Sequence, residues 1–218
     1  MTGTLLWEIM FGVMIAGWLV FAWTFFARKR PAQSKERKRV SASFGAILLQ
    51  GLGFGLAWSL RRVPFTPIFS ARMWLQVVLA LVACSLIVFA LWMVNTAVRT
   101  LGKQWALAAR VVEDHQLIMD GPYRLVRHPI YSGMFMMMIA TGLVVGPWQG
   151  LLLGSVLFLL GTLWRVRIEE KLLTETFGGA YDEYKRKVPE PSNMYANACR
   201  VVSTLKLLRR PAGTEMSR

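Results

Sequence analysis

The sequence has little charge and very few of the residues that build disulfides or metal sites. Only 17% of its 218 residues are Asp, Glu, Lys or Arg, and it contains two Cys and two His. Cys84 and Cys199 are too few for a disulfide framework, and neither has metal-ligand spacing to His115 or His128. We therefore expect two packing cysteines and no metal centre.

Long apolar runs take the place of charge. Hydrophobic residues make up 55% of the chain, and all-round hydrophobicity without an amphipathic stripe argues against the helices of a soluble bundle. Crossing a bilayer takes roughly 20 mostly apolar residues. The sequence predicts an all-α integral membrane protein of about five spans, the last two forming a tight hairpin at Gly146-Pro147. The predicted spans are Leu5–Ala27, Ser41–Leu60, Met73–Asn95, Ile130–Val145 and Trp148–Trp164.

The basic residues are distributed unevenly between these runs. With five spans, all of the 26 Lys and Arg except Arg61, Arg62 and Arg72 fall on one side of the membrane. Because cytoplasmic loops carry the excess of Lys and Arg, this distribution predicts an outside N-terminus and a cytoplasmic C-terminus in an inner membrane. The net charge of +14 is then expected to meet anionic lipid headgroups rather than nucleic acid.

The chain divides into two predicted regions of different character. Residues 1–95 hold three spans with few polar groups, and residues 96–218 hold a linker, two spans and C-terminal helices. In the linker, Val111–Gly121 predicts a short extended pair that turns at an Asp-Gly sequence. After the last span, Ile168 to Thr176 is expected to continue as a helix that stops at Phe177-Gly178-Gly179. A short helix is predicted over Ala180–Lys187, and the amphipathic tail Tyr195–Arg210 is expected to lie on the inner leaflet.

Polar chemistry concentrates at the start of the fourth span. The segment Gly121–Gly133 places two Arg, one His, two Tyr and two Pro directly before and inside the apolar run. Pro129 suits the first turn of a helix, and the free amides of such a turn bind carboxylates. The segment therefore predicts that a polar ligand is held at the cytoplasmic end of this span.

A second charged cluster follows the fifth span. An Arg at the end of a span most often reaches for lipid headgroups, but carboxylates gain nothing from an anionic surface. Arg165 and Glu169 are one helical turn apart on one face, and Glu170 is on a nearby flank. This arrangement predicts a fork for an anionic group beside a carboxylate for a cation.

Together the two clusters resemble the isoprenylcysteine carboxyl methyltransferase family and the related phospholipid methyltransferases. The first matches Gly-x-Tyr-x-x-x-Arg-His-Pro-x-Tyr-x-Gly, and the second, from Glu169 to Pro189, matches Glu-Glu-x-x-Leu-x-x-x-Phe-Gly-x-x-Tyr-x-x-Tyr-x-x-x-Val-Pro. The resemblance covers about Val112 to Pro191. It implies a membrane enzyme that encloses S-adenosylmethionine on the cytoplasmic side, between the last two spans and the C-terminal helices, and receives a lipid-like substrate from the bilayer. Residue by residue, it implies cofactor binding by His115, Leu117, Gly121, Tyr123, Arg127, His128 and Tyr131 and catalysis by Arg165, Glu169 and Glu170.

The methyl acceptor and the class of reaction stay open. A carboxylate acceptor, such as an isoprenylcysteine, is already ionised at neutral pH, whereas an amine acceptor must lose a proton, for which Glu169 or Glu170 is the nearest base. A sterol-reductase-like enzyme using NADPH has a similar C-terminal region but more spans. A catalytically silent lipid-binding membrane protein could also use this fold. Oligomeric state is not predicted.

Overall fold

The computed structural model describes residues 2–26, 36–39, 43–60, 62–63, 66, 72–105, 110–112 and 116–189. Helices dominate these ranges, as predicted. They are α1 Thr2–Phe26, α2 Ser43–Ser59, α3 Met73–Leu101, α4 Pro129–Val145, α5 Trp148–Phe177 and α6 Gly179–Lys187. Between them lie the strands β1 Glu36–Arg39 and β2 Arg110–Val112 and the 3-10 turns Gly102–Gln104 and Gly121–Arg124.

Three of these helices are long and apolar enough to cross a bilayer. They are α1, α3 and α5. The helices α2 and α4 are equally apolar but have 17 residues each, about 25 Å of length at 1.5 Å per residue. Large apolar side chains are exposed along the outside of the bundle, for example Leu19, Trp23, Leu81 and Val88. Such a surface suits a lipid solvent and supports the predicted integral membrane protein.

The helix α5 continues beyond the apolar run that predicted it. The run ends at Trp164, whereas the helix ends at Phe177, where Gly178 takes a φ of +53° that favours glycine. The helix α6 begins at Gly179 and buries Tyr181, Tyr184 and Val188 together. The predicted stop and the predicted short helix are both confirmed.

The helix α2 packs mainly against α5, and α3 packs against both α4 and α1. A few buried polar side chains link the helices. Gln50 Nε2 donates to Thr162 Oγ1 at 2.9 Å between α2 and α5, and Trp18 Nε1 donates to Thr141 Oγ1 at 2.9 Å between α1 and α4. Hydrogen bonds of this kind fix the rotation of one helix against another where lipid supplies little driving force.

Glycine sets the closest approach of α2 and α5. A Cβ built on Gly161 would lie 2.9 Å from both the Ala46 carbonyl oxygen and the Gln50 backbone nitrogen. Because backbone atoms cannot move aside cheaply, we expect Gly161→Val to lower the free energy of unfolding by about 2 kcal/mol, measured by thermal unfolding in detergent. Gly55→Val is the matched control, since its Cβ would meet nothing within 4 Å. Equal losses in the two variants would contradict this account of the contact.

Arg62 closes the end of the bundle opposite the charged cluster. Its backbone nitrogen donates to the Val145 carbonyl at 3.1 Å, and its Nη2 donates to the Leu143 carbonyl at 2.8 Å. Its guanidinium also lies over the ring of Trp7, 5.7 Å from the centroid. Burial lowers the pKa of Arg62 to about 10. This cation therefore caps the last carbonyls of α4, the end of a helix that favours positive charge.

The prediction for the linker was right about a strand and wrong about its partner. The strand β2 pairs antiparallel with β1, Glu36 facing Val112 and Arg39 facing Arg110. The Asp-Gly sequence does not turn a hairpin. It begins a 3-10 turn in which Tyr123 N donates to the Asp120 carbonyl at 3.2 Å, and this turn leads directly to α4. A local pattern could not identify β1, because the pairing joins segments more than 70 residues apart.

Candidate active site

The beginning of α4 meets the charged end of α5. His128 is the N-cap residue of α4, with Pro129 at the first helical position. Its Nε2 lies 3.2 Å from Glu170 Oε1 on α5. Two motifs that are about 40 residues apart in the sequence therefore form one cluster, which we call the α4–α5 cluster: Arg127, His128, Tyr131, Arg165, Glu169 and Glu170.

Glu170 is held by two cationic or ionisable side chains from the segment before α4. Arg127 Nε lies 3.3 Å from Glu170 Oε1, the same oxygen that contacts His128. The side chains of Arg127 and His128 are 8% and 7% exposed, and that of Glu170 is 19% exposed. Charges so far from water interact more strongly than exposed pairs, so the contacts fix the carboxylate.

Glu169 has a separate set of partners. It accepts a hydrogen bond from Arg165 Nε at 3.1 Å and another from the Tyr131 hydroxyl, both on Oε1. His128 Nδ1 lies 3.7 Å from Glu169 Oε2. The imidazole of His128 therefore lies between the two carboxylates.

The ring of Tyr131 organises the centre of the cluster. It stacks on the His128 ring at a centroid distance of 5.7 Å and an interplanar angle of 16°. The Arg165 guanidinium lies over Tyr131, 5.0 Å from the ring centroid. Because Arg165 and His128 both pack on Tyr131, the aromatic ring sets the distance between them.

The helix α6 covers the turn that carries the first motif. Tyr184 donates its hydroxyl to the Tyr123 carbonyl at 2.7 Å, and Arg127 N donates to the Pro189 carbonyl at 3.2 Å. Leu117 packs against the buried cluster of α6. Burial first, and then the charge of Glu169, raises the pKa of Tyr123 well above its usual value, so this phenol stays neutral at any working pH.

Two glycines of the first motif serve the backbone. Gly121 has a φ of +60°, and a Cβ there would lie 3.0 Å from Thr100 Oγ1 on α3. A Cβ on Gly133 would lie 2.3 Å from Val94 Cγ2 and 3.2 Å from the Ala90 carbonyl oxygen. Both glycines therefore allow the first motif to approach α3 closely.

Six of the residues predicted for the site form the α4–α5 cluster, and three others lie in the segment before it. Leu117 packs against α6, Gly121 lies beside Thr100 of α3, and the Tyr123 carbonyl accepts the hydrogen bond from Tyr184. His115 and the tail Tyr195–Arg210 lie outside the described residues. Sequence reasoning did not count Tyr181 and Tyr184 as site residues, although the second motif contains both. The sequence signal that could have identified them is their spacing of three residues, which places both on one face of the predicted short helix.

The part of the chain that carries this geometry is similar to known proteins. Residues 78–180 match the family model described as Phospholipid methyltransferase. The resemblance predicted from the two motifs is confirmed. The chain is 36% identical over 83 residues to Protein-S-isoprenylcysteine O-methyltransferase of Schizosaccharomyces pombe, covering 38% of this chain and 35% of that protein. It is 34% identical over 113 residues to the protein of the same name in Saccharomyces cerevisiae, covering 48% and 45%. It is also 30% identical over 103 residues to Protein-S-isoprenylcysteine O-methyltransferase B of Arabidopsis thaliana, covering 44% and 49%.

The matched region is the part that carries the cluster. The chain spans less than half the length of these curated relatives. The family model begins within α3 and ends within α6, and so includes every residue of the α4–α5 cluster. The similarity therefore falls on the half of the chain where the polar chemistry lies.

Proposed function

We propose that this chain is an integral membrane methyltransferase that uses S-adenosylmethionine and methylates a lipid-like or amphiphilic acceptor. The observation that carries the proposal is the α4–α5 cluster. Two sequence motifs meet there as a mostly buried set of two Arg, one His and two carboxylates. Buried charges are costly at a membrane and mark functional sites, and the names of the relatives agree with this chemistry.

The residues present fit the methyl donor. S-adenosylmethionine carries a sulfonium and an ammonium, which need carboxylates, and a carboxylate, which needs cations or amides. Glu169 and Glu170 supply the first requirement, while Arg127 and the first turn of α4 supply the second.

Catalysis by this cluster is chiefly alignment. When bound, the methyl donor supplies an electrophilic methyl group for an in-line displacement. Arg165, 5% exposed, can hold an ionised carboxylate acceptor by paired hydrogen bonds. Glu169 and Tyr131 fix the orientation of that guanidinium. The gain comes from holding two reactants in line and away from water.

An amine acceptor is the second candidate, because the matching family model is that of phospholipid methyltransferases. An amine must lose its proton to react, and a carboxylate within reach must accept it. Glu169 faces Arg165 and Glu170 faces Arg127. In this version Glu169, beside the acceptor fork, is the base.

The membrane topology belongs to the same proposal. We place α1 to α5 across the bilayer, α4 and α5 as a hairpin at Gly146-Pro147, the N-terminus outside and the cluster at the cytoplasmic leaflet. Arg62 contacts one end of α4 and His128 caps the other, and the distribution of Lys and Arg supports the choice of the His128 end as the cytoplasmic one. The division into residues 1–95 and residues 96–218, with the second carrying catalysis, remains a prediction.

The direct test is ligand binding followed by transfer. Purified protein in detergent should bind S-adenosylmethionine in calorimetry and transfer a labelled methyl group to a member of a panel of prenylated cysteines and amine-headed phospholipids. Binding of NADPH alone would favour a reductase. Binding of neither compound would favour a silent lipid-binding protein, and either outcome would refute the methyltransferase.

We expect His128→Ala to raise the Kd for S-adenosylmethionine by about tenfold, the equivalent of about 1.4 kcal/mol. The imidazole separates Glu169 from Glu170, and its loss lets the two carboxylates change position. Calorimetry measures the effect, and Arg124→Ala is the control because the Arg124 side chain is 74% exposed. An unchanged Kd in His128→Ala would remove this residue from the cofactor site.

A further inference from the structure

Tyr181 is buried with an unsatisfied hydroxyl. The residue is 1% exposed, and its phenolic oxygen has no hydrogen-bond partner among the residues that the structure describes. Leaving a buried donor without an acceptor is destabilising, so such groups usually have a function. Tyr184, one turn away on α6, differs because its hydroxyl donates to the Tyr123 carbonyl.

The segment after α6 is joined to the segment that holds Glu170, because Arg127 N donates to the Pro189 carbonyl at 3.2 Å. Burial first, and then the negative charge of Glu170, raises the pKa of Tyr181, and the charge of Arg127 opposes this effect. Lys185 Nζ lies over the same ring, 5.2 Å from the centroid. The phenol of Tyr181 is therefore neutral, and its helix is connected through Arg127 to the Glu170 carboxylate.

Glu170 can accept one more hydrogen bond. Arg127 and His128 both contact its Oε1, which leaves Oε2 for a third donor. The terminal torsion of a Glu side chain has a broad energy minimum. A rotation of the carboxylate about this torsion changes the position of Oε2 at little cost.

We propose that Tyr181 is a positioning residue that donates its hydroxyl to the Glu170 carboxylate and fixes the plane of that group. Three donors would then hold Glu170 from three parts of the chain: Arg127 before α4, His128 at its N-cap and Tyr181 on α6. The consequence for the reaction rests on the proposed function. Without Tyr181, Glu170 keeps its place on the helix but loses its orientation toward the methyl donor.

A double-mutant cycle tests the proposed hydrogen bond between Tyr181 and Glu170 without any assay of activity. Thermal unfolding in detergent is measured for Tyr181→Phe, Glu170→Gln and the double variant. If the two groups interact, the double variant loses less than the sum of the single losses. Tyr184→Phe is the matched control, since it removes a phenol of the same helix that is bonded elsewhere, and its loss should add to that of Glu170→Gln. Additive losses in the Tyr181 cycle would overturn the proposal.

The pH profile of kcat then reports the effect on Glu170. A carboxylate that loses a donor takes up a proton more readily, so Tyr181→Phe should move the acidic limb to higher pH and lower kcat about tenfold, while Tyr184→Phe leaves the limb in place. Arg127, His128 and Lys185 also face Glu170, and they are the same in both variants. An unmoved limb in Tyr181→Phe would contradict the role.

These two measurements separate this inference from the proposed function. Non-additive stability losses in a protein that transfers no methyl group would refute the methyltransferase and support the interaction between Tyr181 and Glu170. Additive stability losses in an active enzyme would support the methyltransferase and refute the interaction. Tyr181→Met is the second variant should the phenylalanine protein fail to fold, because a flexible thioether fills irregular spaces.

Discussion

Glu170→Gln is expected to lower kcat for methyl transfer by about 100- to 1,000-fold, while the protein still inserts and purifies. Glutamine keeps the shape of the side chain and removes its charge. The Glu170 carboxylate contacts the mostly buried side chains of Arg127 and His128. It is also one of the two carboxylates proposed to bind the sulfonium or the ammonium group of the methyl donor. Single-turnover transfer of a labelled methyl group measures the loss.

Glu175→Gln supplies the matched control for Glu170→Gln. It makes the same change on the same helix at an exposed position, so activity should be retained. Glu169→Gln completes the comparison, because the two carboxylates have different partners. Full activity in Glu170→Gln together with an inactive Glu169→Gln would assign the catalytic role to Glu169.

Local signals predicted the parts of the fold that depend on neighbouring residues. Apolar runs identified α1 to α5, and the Gly178-Gly179 pair identified the break between α5 and α6. Apolarity alone did not identify the helix ends. The helix α3 continues past the predicted Asn95 to Leu101, and α4 begins at Pro129, one residue before the predicted span, because hydrophobicity reports contact with lipid or protein and a helix can extend beyond it.

Contacts between segments that are far apart in the sequence were harder to predict. The sequence placed Arg165 and Glu169 on one face, and the structure joins them at 3.1 Å, because i and i+4 residues meet on any helix. The contact of Glu170 with His128 depends on how α4 crosses α5, which no local pattern contains. The same holds for Gly133, where the absence of a side chain allows the close approach of α3.

Arg165→Lys is expected to lower kcat/KM by about 100-fold, although it keeps the positive charge. Arg165 binds Glu169 through Nε while its planar guanidinium lies over Tyr131. An ammonium has neither the fork nor the flat face and cannot make both contacts. Steady-state methyl transfer measures the change, and Arg167→Lys is the control because Arg167 is exposed on the same helix. Wild-type activity in both Arg165→Lys and Arg165→Ala would refute the assigned role.

The Arg165 variants also discriminate between the two acceptors. If the acceptor is a carboxylate, the guanidinium binds it directly, and Arg165→Lys should raise KM for the acceptor more than it lowers kcat. If the acceptor is an amine, a cation at this position repels it, and the main task of Arg165 is to orient Glu169 as a base. The loss then falls on kcat and is accompanied by a change in its pH dependence. The division of the effect between KM and kcat therefore identifies the charge of the substrate that the α4–α5 cluster receives.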